Sequence, residues 1–255
     1  MTAKFYLKII AIFMLGCFVL QNARANLLFM QEWNFDGSRK FYGNVKKIEE
    51  YFQNKLMLTF LFDNDGKLRE TLFVRDKTPY SFRYYYNEIN GKMERIELFN
   101  RSTEKIESEE QALFNEAGDV VAFHSFANGK LIQKSSAVIS DDKHRISMIV
   151  LQDSDSKVSE IFFEYYPDDR VKQIRYSHDG KILNTAIYSY PESNKVIQKR
   201  FDEQFQLKET FYLSYTVDAE NNWVKEVRQI DSFVYELIRK IEYGKKKTKW
   251  FFGIF

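Results

Sequence analysis

The chain has 255 residues, 38 Lys+Arg against 36 Asp+Glu and a formal net charge of +2, a balance that argues against a nucleic-acid binder with its concentrated basic face. Its one cysteine, Cys17, allows neither an internal disulfide nor a thiolate metal site. Aromatic residues make up 17% of the chain, enough to pack a fold that has no disulfides to hold it.

Met1 to Lys8 carries Lys4 and Lys8 and no acid, and Ile9 to Leu20 is an uncharged apolar run. Ala23-Arg24-Ala25 then places small residues at both positions a signal peptidase reads. Residues 1–25 therefore read as a secretory signal peptide cleaved after Ala25. The run is too short for a membrane-crossing helix, which needs about 20 residues. A lipoprotein site at Leu15-Gly16-Cys17 is the weaker alternative, because it would bury the lipidated cysteine inside the apolar run. Cleavage removes Lys4, Lys8 and Arg24, leaving 35 basic residues against 36 acids and no cysteine.

Residues 26–42 form a lead-in with little pattern, in which Trp33 and Phe35 could cap the first strand. From Gly43 onward one phrase recurs: an aromatic or apolar strand end, an acidic turn, then Gly-Lys-apolar. Phe62-Asp63-Asn64-Asp65-Gly66-Lys67-Leu68 is its clearest copy. Tyr86-Asn87-Glu88-Ile89-Asn90-Gly91-Lys92, Phe114-Asn115-Glu116-Ala117-Gly118-Asp119-Val120, Phe126-Ala127-Asn128-Gly129-Lys130-Leu131 and Tyr176-Ser177-His178-Asp179-Gly180-Lys181-Ile182 repeat it. Tyr215 to Val224 closes the series, with Asn222 read in the glycine position. Gly, Asn and Asp tolerate the positive φ of tight turns, and flanked by β-branched and aromatic residues they signal hairpins.

Turns are expected near Asn54, Asp65, Lys77, Asn90, Ser102, Ala117, Asn128, Asp141, Asp155, Asp168, Asp179, Ser193, Glu203, Glu220, Asp231 and Gly244, about 13 residues apart. Two steps make a hairpin unit. Ser102 to Ala112 is the best helical candidate, but no stretch holds a 3.6-residue apolar period, and a charged strand and loop is preferred there. Apolar alternation within strands is imperfect. Val171 falls out of phase with Ile174 and Tyr176, as expected for a sheet covered on both sides, curled on itself, or carrying bulges. The expected fold is all-β: an antiparallel meander of repeated hairpins over residues 43–244, forming one long twisted or partly rolled sheet.

The aromatic strand end, acidic turn with glycine, and following strand resemble the tyrosine–aspartate (YD) repeats of the RHS type over Gly43 to Tyr243. The resemblance implies stacked β-hairpins on an exported bacterial protein. Full RHS proteins close such a sheet into a shell around a toxin; this chain is too short for a shell and shows no toxin-like end. Pro167-Asp168-Asp169-Arg170 and Pro191-Glu192-Ser193-Asn194 depart from the pattern by lacking glycine. MORN-type repeats are a neighbouring resemblance, but their denser glycines are missing.

Sequence motifs for chemistry are sparse. His124, His144 and His178 have no metal-ligand spacing to one another. Asp63-Asn64-Asp65-Gly66 fails as an EF-hand loop because Leu61 and Leu72 occupy ligand positions, and Asp153-Ser154-Asp155 fails through Lys157 and Val158. Asp141-Asp142 and Asp168-Asp169 are adjacent, and adjacent strand residues face opposite ways. No catalytic residue, cofactor or metal ligand is assigned. The tail, residues 245–255, joins Lys245-Lys246-Lys247-Thr248-Lys249 to Trp250-Phe251-Phe252-Gly253-Ile254-Phe255. It suits a membrane surface or, through Phe255, the end of an outer-membrane strand; a final strand or frayed end is preferred.

The expected function is a non-enzymatic exported protein of the periplasm, cell envelope or medium. Its β-surface would bind an unidentified protein or polysaccharide partner, with Tyr85, Tyr176 and Tyr215 as candidate contacts. A small outer-membrane barrel is the alternative, and an envelope enzyme of unknown chemistry the third reading.

Overall fold

The computed structural model describes residues 42–74, 79–89, 91, 93–118, 120–140, 145–152 and 158–244. The signal-peptide stretch, most of the lead-in, the tail, His144, Asp141-Asp142 and Asp153-Ser154-Asp155 lie outside the described residues.

The described residues form sixteen antiparallel strands in sequence order, each paired with the next. They are β1 (Val45–Phe52), β2 (Lys55–Phe62), β3 (Leu68–Phe73), β4 (Tyr80–Tyr86), β5 (Met93–Asn100), β6 (Lys105–Phe114), β7 (Val120–Ala127) and β8 (Lys130–Ser140). The second half comprises β9 (Ile146–Gln152), β10 (Val158–Tyr165), β11 (Val171–His178), β12 (Lys181–Glu192), β13 (Lys195–Phe201), β14 (Leu207–Val217), β15 (Trp223–Ile230) and β16 (Phe233–Tyr243). The meander is more than rolled. β16 pairs with β1 from Tyr243 opposite Val45 to Leu237 opposite Phe52, so the sheet closes on itself. Closure removes the two free edges that an open sheet of this length would expose.

The recurring acidic phrase folds into one recurring turn. In the β2–β3 turn Asp63 Oδ1 accepts the amides of Asp65 and Lys67, both at 2.9 Å, while its Oδ2 takes Arg69 Nε at 2.9 Å. Burial alone would raise the Asp63 carboxyl, but these donors outweigh it and hold the group below its ordinary value. Asp202 repeats the geometry with the amides of Gln204 and Gln206, and Asp218 with those of Glu220 and Asn222. Three residues after the acid the chain needs positive φ: Gly66 at 79°, Phe205 at 58° and Asn221 at 67°. The glycine position of the last copy is therefore Asn221, not Asn222, a correction of one residue. Asp63→Ala is expected to cost about 1–2 kcal/mol, read by urea unfolding, because two amides lose their acceptor.

Asn222 has a different task. It is buried, its Oδ1 accepts the Tyr42 amide at 2.7 Å, and its Nδ2 donates to Tyr42 O and Tyr243 Oη at 2.8 Å each. The Tyr243 hydroxyl also donates to Asp218 Oδ2. Burial and that carboxylate push the Tyr243 hydroxyl up to about 12. Asn222 thus fastens the start and end of the described chain together at one rim of the barrel.

Tyrosines near the ends of β4, β10 and β12 brace three hairpins at that same rim. Tyr86 Oη donates to Leu68 O at 3.0 Å, Tyr165 to Ile146 O at 2.7 Å and Tyr190 to Val171 O at 3.0 Å. Register shifts sit beside the turns, for example between Tyr85 and Tyr86, between Leu113 and Phe114, and between Glu164 and Tyr165. Each bulge flips the facing of the strand residues beyond it. That is why Val171 is buried while Ile174 and Tyr176 pack on the larger buried cluster, although their sequence phase differs.

One face of the sheet is dry. Tyr84, Ile96, Ala112, Phe123, Ile149, Ile161 and Phe163 belong to one buried cluster, and Val196, Tyr215, Trp223 and Leu237 to a second. Ile48 and Ile149 are 0% exposed. A side chain on a single sheet layer reaches that value only when something covers it, and in a closed sheet the cover is the opposite wall. The apolar face is therefore the inner one, and the lumen is filled by side chains. The other face carries Arg83, Arg95, Glu164 and Arg175, each more than a third exposed. A bilayer-spanning barrel has the reverse pattern, with apolar residues outward, and each Arg or Lys on the lipid face costs about 2–4 kcal/mol at the midplane. The outer-membrane barrel reading is therefore not favoured.

Candidate functional site

The outward face of β3–β7 gathers an ordered set of cations, rings and carboxylates. Strand alternation puts Arg83, Tyr85, Arg95, Glu97 and Phe99 on that face, and register brings Arg83 opposite Glu97 and Tyr85 opposite Arg95. The Arg83 guanidinium lies 3.3 Å from the Phe99 ring centre, and Arg95 lies 4.0 Å over Tyr85. Both are close cation–π contacts. Tyr85 Oη donates to Glu97 Oε2 at 2.7 Å, and burial together with Glu97 pushes the Tyr85 hydroxyl up. Arg95 sits 3.5 Å from Glu97 and 3.8 Å from Glu109, while Arg83 is 3.7 Å from Glu70. The same chemistry recurs farther round the wall, where Arg175 covers Phe162 and pairs with Glu164.

Next to this patch a groove of about 300 Å³ is lined by Ile106, Ser108, Glu109, Phe126, Asn128 and Gly129. Glu109 belongs to both features. Together they form a preorganised surface rich in Arg and aromatic side chains, the types enriched where proteins meet.

The three tyrosines chosen from sequence do not share a surface. Tyr85 is half-buried within the outer patch. Tyr176 points inward, packs against the first core cluster and donates to Ser159 Oγ at 3.2 Å. Tyr215 is 7% exposed and lies beside Trp223 in the second cluster, so its ring offers nothing to a partner. A tyrosine near a turn reads alike whether it faces in or out, because the bulge beside the turn resets the parity.

One trio invites comparison with a nucleophilic triad. Ser159 Oγ is 2.9 Å from His178 Nδ1, and His178 Nε2 is 3.6 Å from Asp179 Oδ2. Ser159 is 5% exposed and sits between two paired strands, opposite Leu151 and His178. Backbone amides there serve the sheet ladder rather than an oxyanion, and the His–Asp separation exceeds a hydrogen bond. Among the described residues no group of three or more His, Cys, Asp or Glu is arranged to hold a metal ion.

No family model matches the chain, and no curated protein matches it. Solved structures that match part of this chain include a porin-like protein from Bacteroides uniformis, at 12% identity and TM-score 0.41, covering 79% of this chain and 98% of that one. A porin-like protein from Bacteroides vulgatus matches at 13% identity and TM-score 0.38, covering 79% and 99%. The TcdB2–TccC3–Cdc42 complex matches at 9% identity and TM-score 0.33, over 78% of this chain but only 15% of that one. At these values the likenesses assign neither family nor activity.

Proposed function

We propose that this chain is an exported, non-enzymatic binding protein of the bacterial cell envelope that offers its outer β-wall to a protein partner. The observation that carries this reading is the ordered patch of Arg83, Tyr85, Arg95, Glu97 and Phe99 on a wall held rigid by closure. A rigid scaffold lowers the ordering cost of association. A protein suits the patch better than a polysaccharide, because guanidinium groups already cover the rings on which a sugar would stack. Export rests on the amino-terminal signal pattern, and an envelope setting follows from it.

The test is site-directed crosslinking in producer cells, with a photoreactive residue at Gln111, which faces outward beside Glu109 and opposite Arg95. A single adduct from the soluble periplasm or the medium is expected, and Arg83→Glu with Arg95→Glu should weaken capture at least about tenfold. An adduct unchanged by the double reversal, in a variant that melts like the parent, would refute the patch. Recovery of the protein only in detergent-resistant outer membrane would refute the setting.

A further inference from the structure

The two rims of the barrel differ. The first rim is formed where odd-numbered strands end and even-numbered strands begin, with described turns at β1–β2, β5–β6, β7–β8, β11–β12, β13–β14 and β15–β16, and the described chain starts and ends at the other rim. Among the described residues, eleven of the seventeen exposed large apolar side chains lie within three residues of a strand end at the first rim. Leu131 and Ile132, Ile182 and Leu183, Leu207 and Val234 are the main ones, at 37–61% exposure. Monomeric proteins rarely gather apolar side chains this way without a partner to cover them.

Charge at this rim is divided by halves. From β1 to β8, the described turn residues and the first two residues of the strands after them carry Lys55, Arg101, Lys105 and Lys130 against one acid, Glu104. From β11 to β16 the equivalent positions carry Asp179, Asp202, Glu203 and Asp231 against Lys181 and Lys208. Those two lysines are already engaged, Lys181 with Glu203 and Lys208 with Asp202. One half is basic and the other acidic, with apolar side chains along both.

We infer that this rim is the contact surface for a second copy of the same chain, in a head-to-head, two-fold dimer. A two-fold axis in the plane of the rim, running between the two halves, lays each basic half on the partner's acidic half. It brings the β1–β2 turn against the β15–β16 turn, so Lys55 meets Asp231 twice, and the β5–β6 turn against the β11–β12 turn, so Lys105 meets Asp179 twice. A two-fold contact must be self-complementary in this way. An anionic lipid surface would be repelled by the acidic half. Sixteen strands about 4.8 Å apart give a perimeter near 77 Å, and a rim about 10 Å wide then buries roughly 800 Å² per copy, the usual size of a specific interface. Both ends of the described chain leave from the far rim and do not obstruct the contact.

Sedimentation of the mature protein tests this. A dimer with a dissociation constant in about the micromolar range or tighter is expected. Lys55→Glu alone and Asp231→Lys alone should each weaken it at least about tenfold, while an equal mixture of the two variants should restore it, since both contacts become attractive again. Val234→Glu should abolish it without reversing any of these charges. A monomeric parent would overturn the inference, as would a mixture no tighter than its components or a Val234→Glu variant that dimerises like the parent. Thermal melting of each variant separates lost association from lost fold. Ile106, Asn128 and Gly129 of the groove reach this rim, but none of the varied residues belongs to the groove or to the Arg83, Tyr85, Arg95, Glu97 and Phe99 patch, and an adduct to a second copy is told from a partner adduct by its mass, so loss of the dimer would leave the crosslinking result standing.

Discussion

Arg239→Ala is expected to lower the unfolding free energy by about 3–5 kcal/mol, because it strands a buried carboxylate. Arg239 Nε and Nη2 each lie 3.0 Å from Glu50 Oε2, and both side chains are at most 10% exposed. The guanidinium also lies 3.4 Å from the Trp223 ring centre and 5.5 Å from that of Phe60. Arg239 and Glu50 are direct partners across β16 and β1, the pairing that closes the barrel. Removing the cation leaves Glu50 in an apolar interior, so it must take up a proton, draw in water or pull the seam apart. The double variant Glu50→Leu with Arg239→Leu should regain most of the loss, since no charge is then stranded. Urea unfolding followed by tryptophan fluorescence measures both, and hydrogen exchange should show β1 and β16 opening first in the single variant. A single variant within about 1 kcal/mol of the parent would mean that the pair contributes little to closure.

Much of the fold is legible in the sequence because its determinants are local. Turns are expected near Asn54, Asp65, Asn128, Asp179 and Asp231, and the structure turns at each, since Gly, Asn and Asp accept positive φ at the least cost, although Phe205 shows that another residue can be held there. The stretch from Ser102 to Ala112 reads as a strand and loop, and β6 occupies it. Closure is not legible. Glu50 and Arg239 are 189 residues apart, and no local pattern announces that the last strand finds the first. Facing is only half legible. A bulge beside a turn shifts the parity of the strand, so Tyr85 faces out while Tyr176 and Tyr215 pack inward. The glycine position of the last repeat is off by one place because Asn221-Asn222 offers two residues suited to one turn position. For the rim, Lys130-Leu131-Ile132 and Lys181-Ile182-Leu183 hold a readable signal. On a regular strand two successive apolar residues face opposite ways, and here a register shift falls at Ile132 and at Leu183. The closed ring shows that neighbouring strands gather such residues at one end.

Glu110→Gln is expected to stabilise the fold at neutral pH and to remove a decline in stability as pH rises. Glu110 is buried on the inward face of β6, opposite Ile96 on β5 and Ser125 on β7, and neither neighbour can carry a compensating charge. Its Oε2 has no hydrogen-bond partner among the described residues. Burial therefore pushes the carboxyl well above its ordinary value. In the unfolded chain it titrates near about 4.3. Between that pH and the raised folded value, the native state holds a proton that the unfolded state has released. Stability then falls as pH rises, by up to about 1.4 kcal/mol per pH unit, and levels off above the folded value. Glutamine keeps the shape of the protonated acid and cannot ionise. The two proteins should be alike below about pH 4 and diverge above it, with the variant the more stable by more than about 1 kcal/mol at pH 8. Urea unfolding at pH 4 and pH 8 decides the matter, and equal losses in both proteins would show that Glu110 finds water or a partner when ionised. The same contrast explains how β6 accommodates its acids. Glu109 faces outward toward Arg95 and can stay charged, whereas Glu110 packs inward and is held in the one form that an apolar lumen accepts.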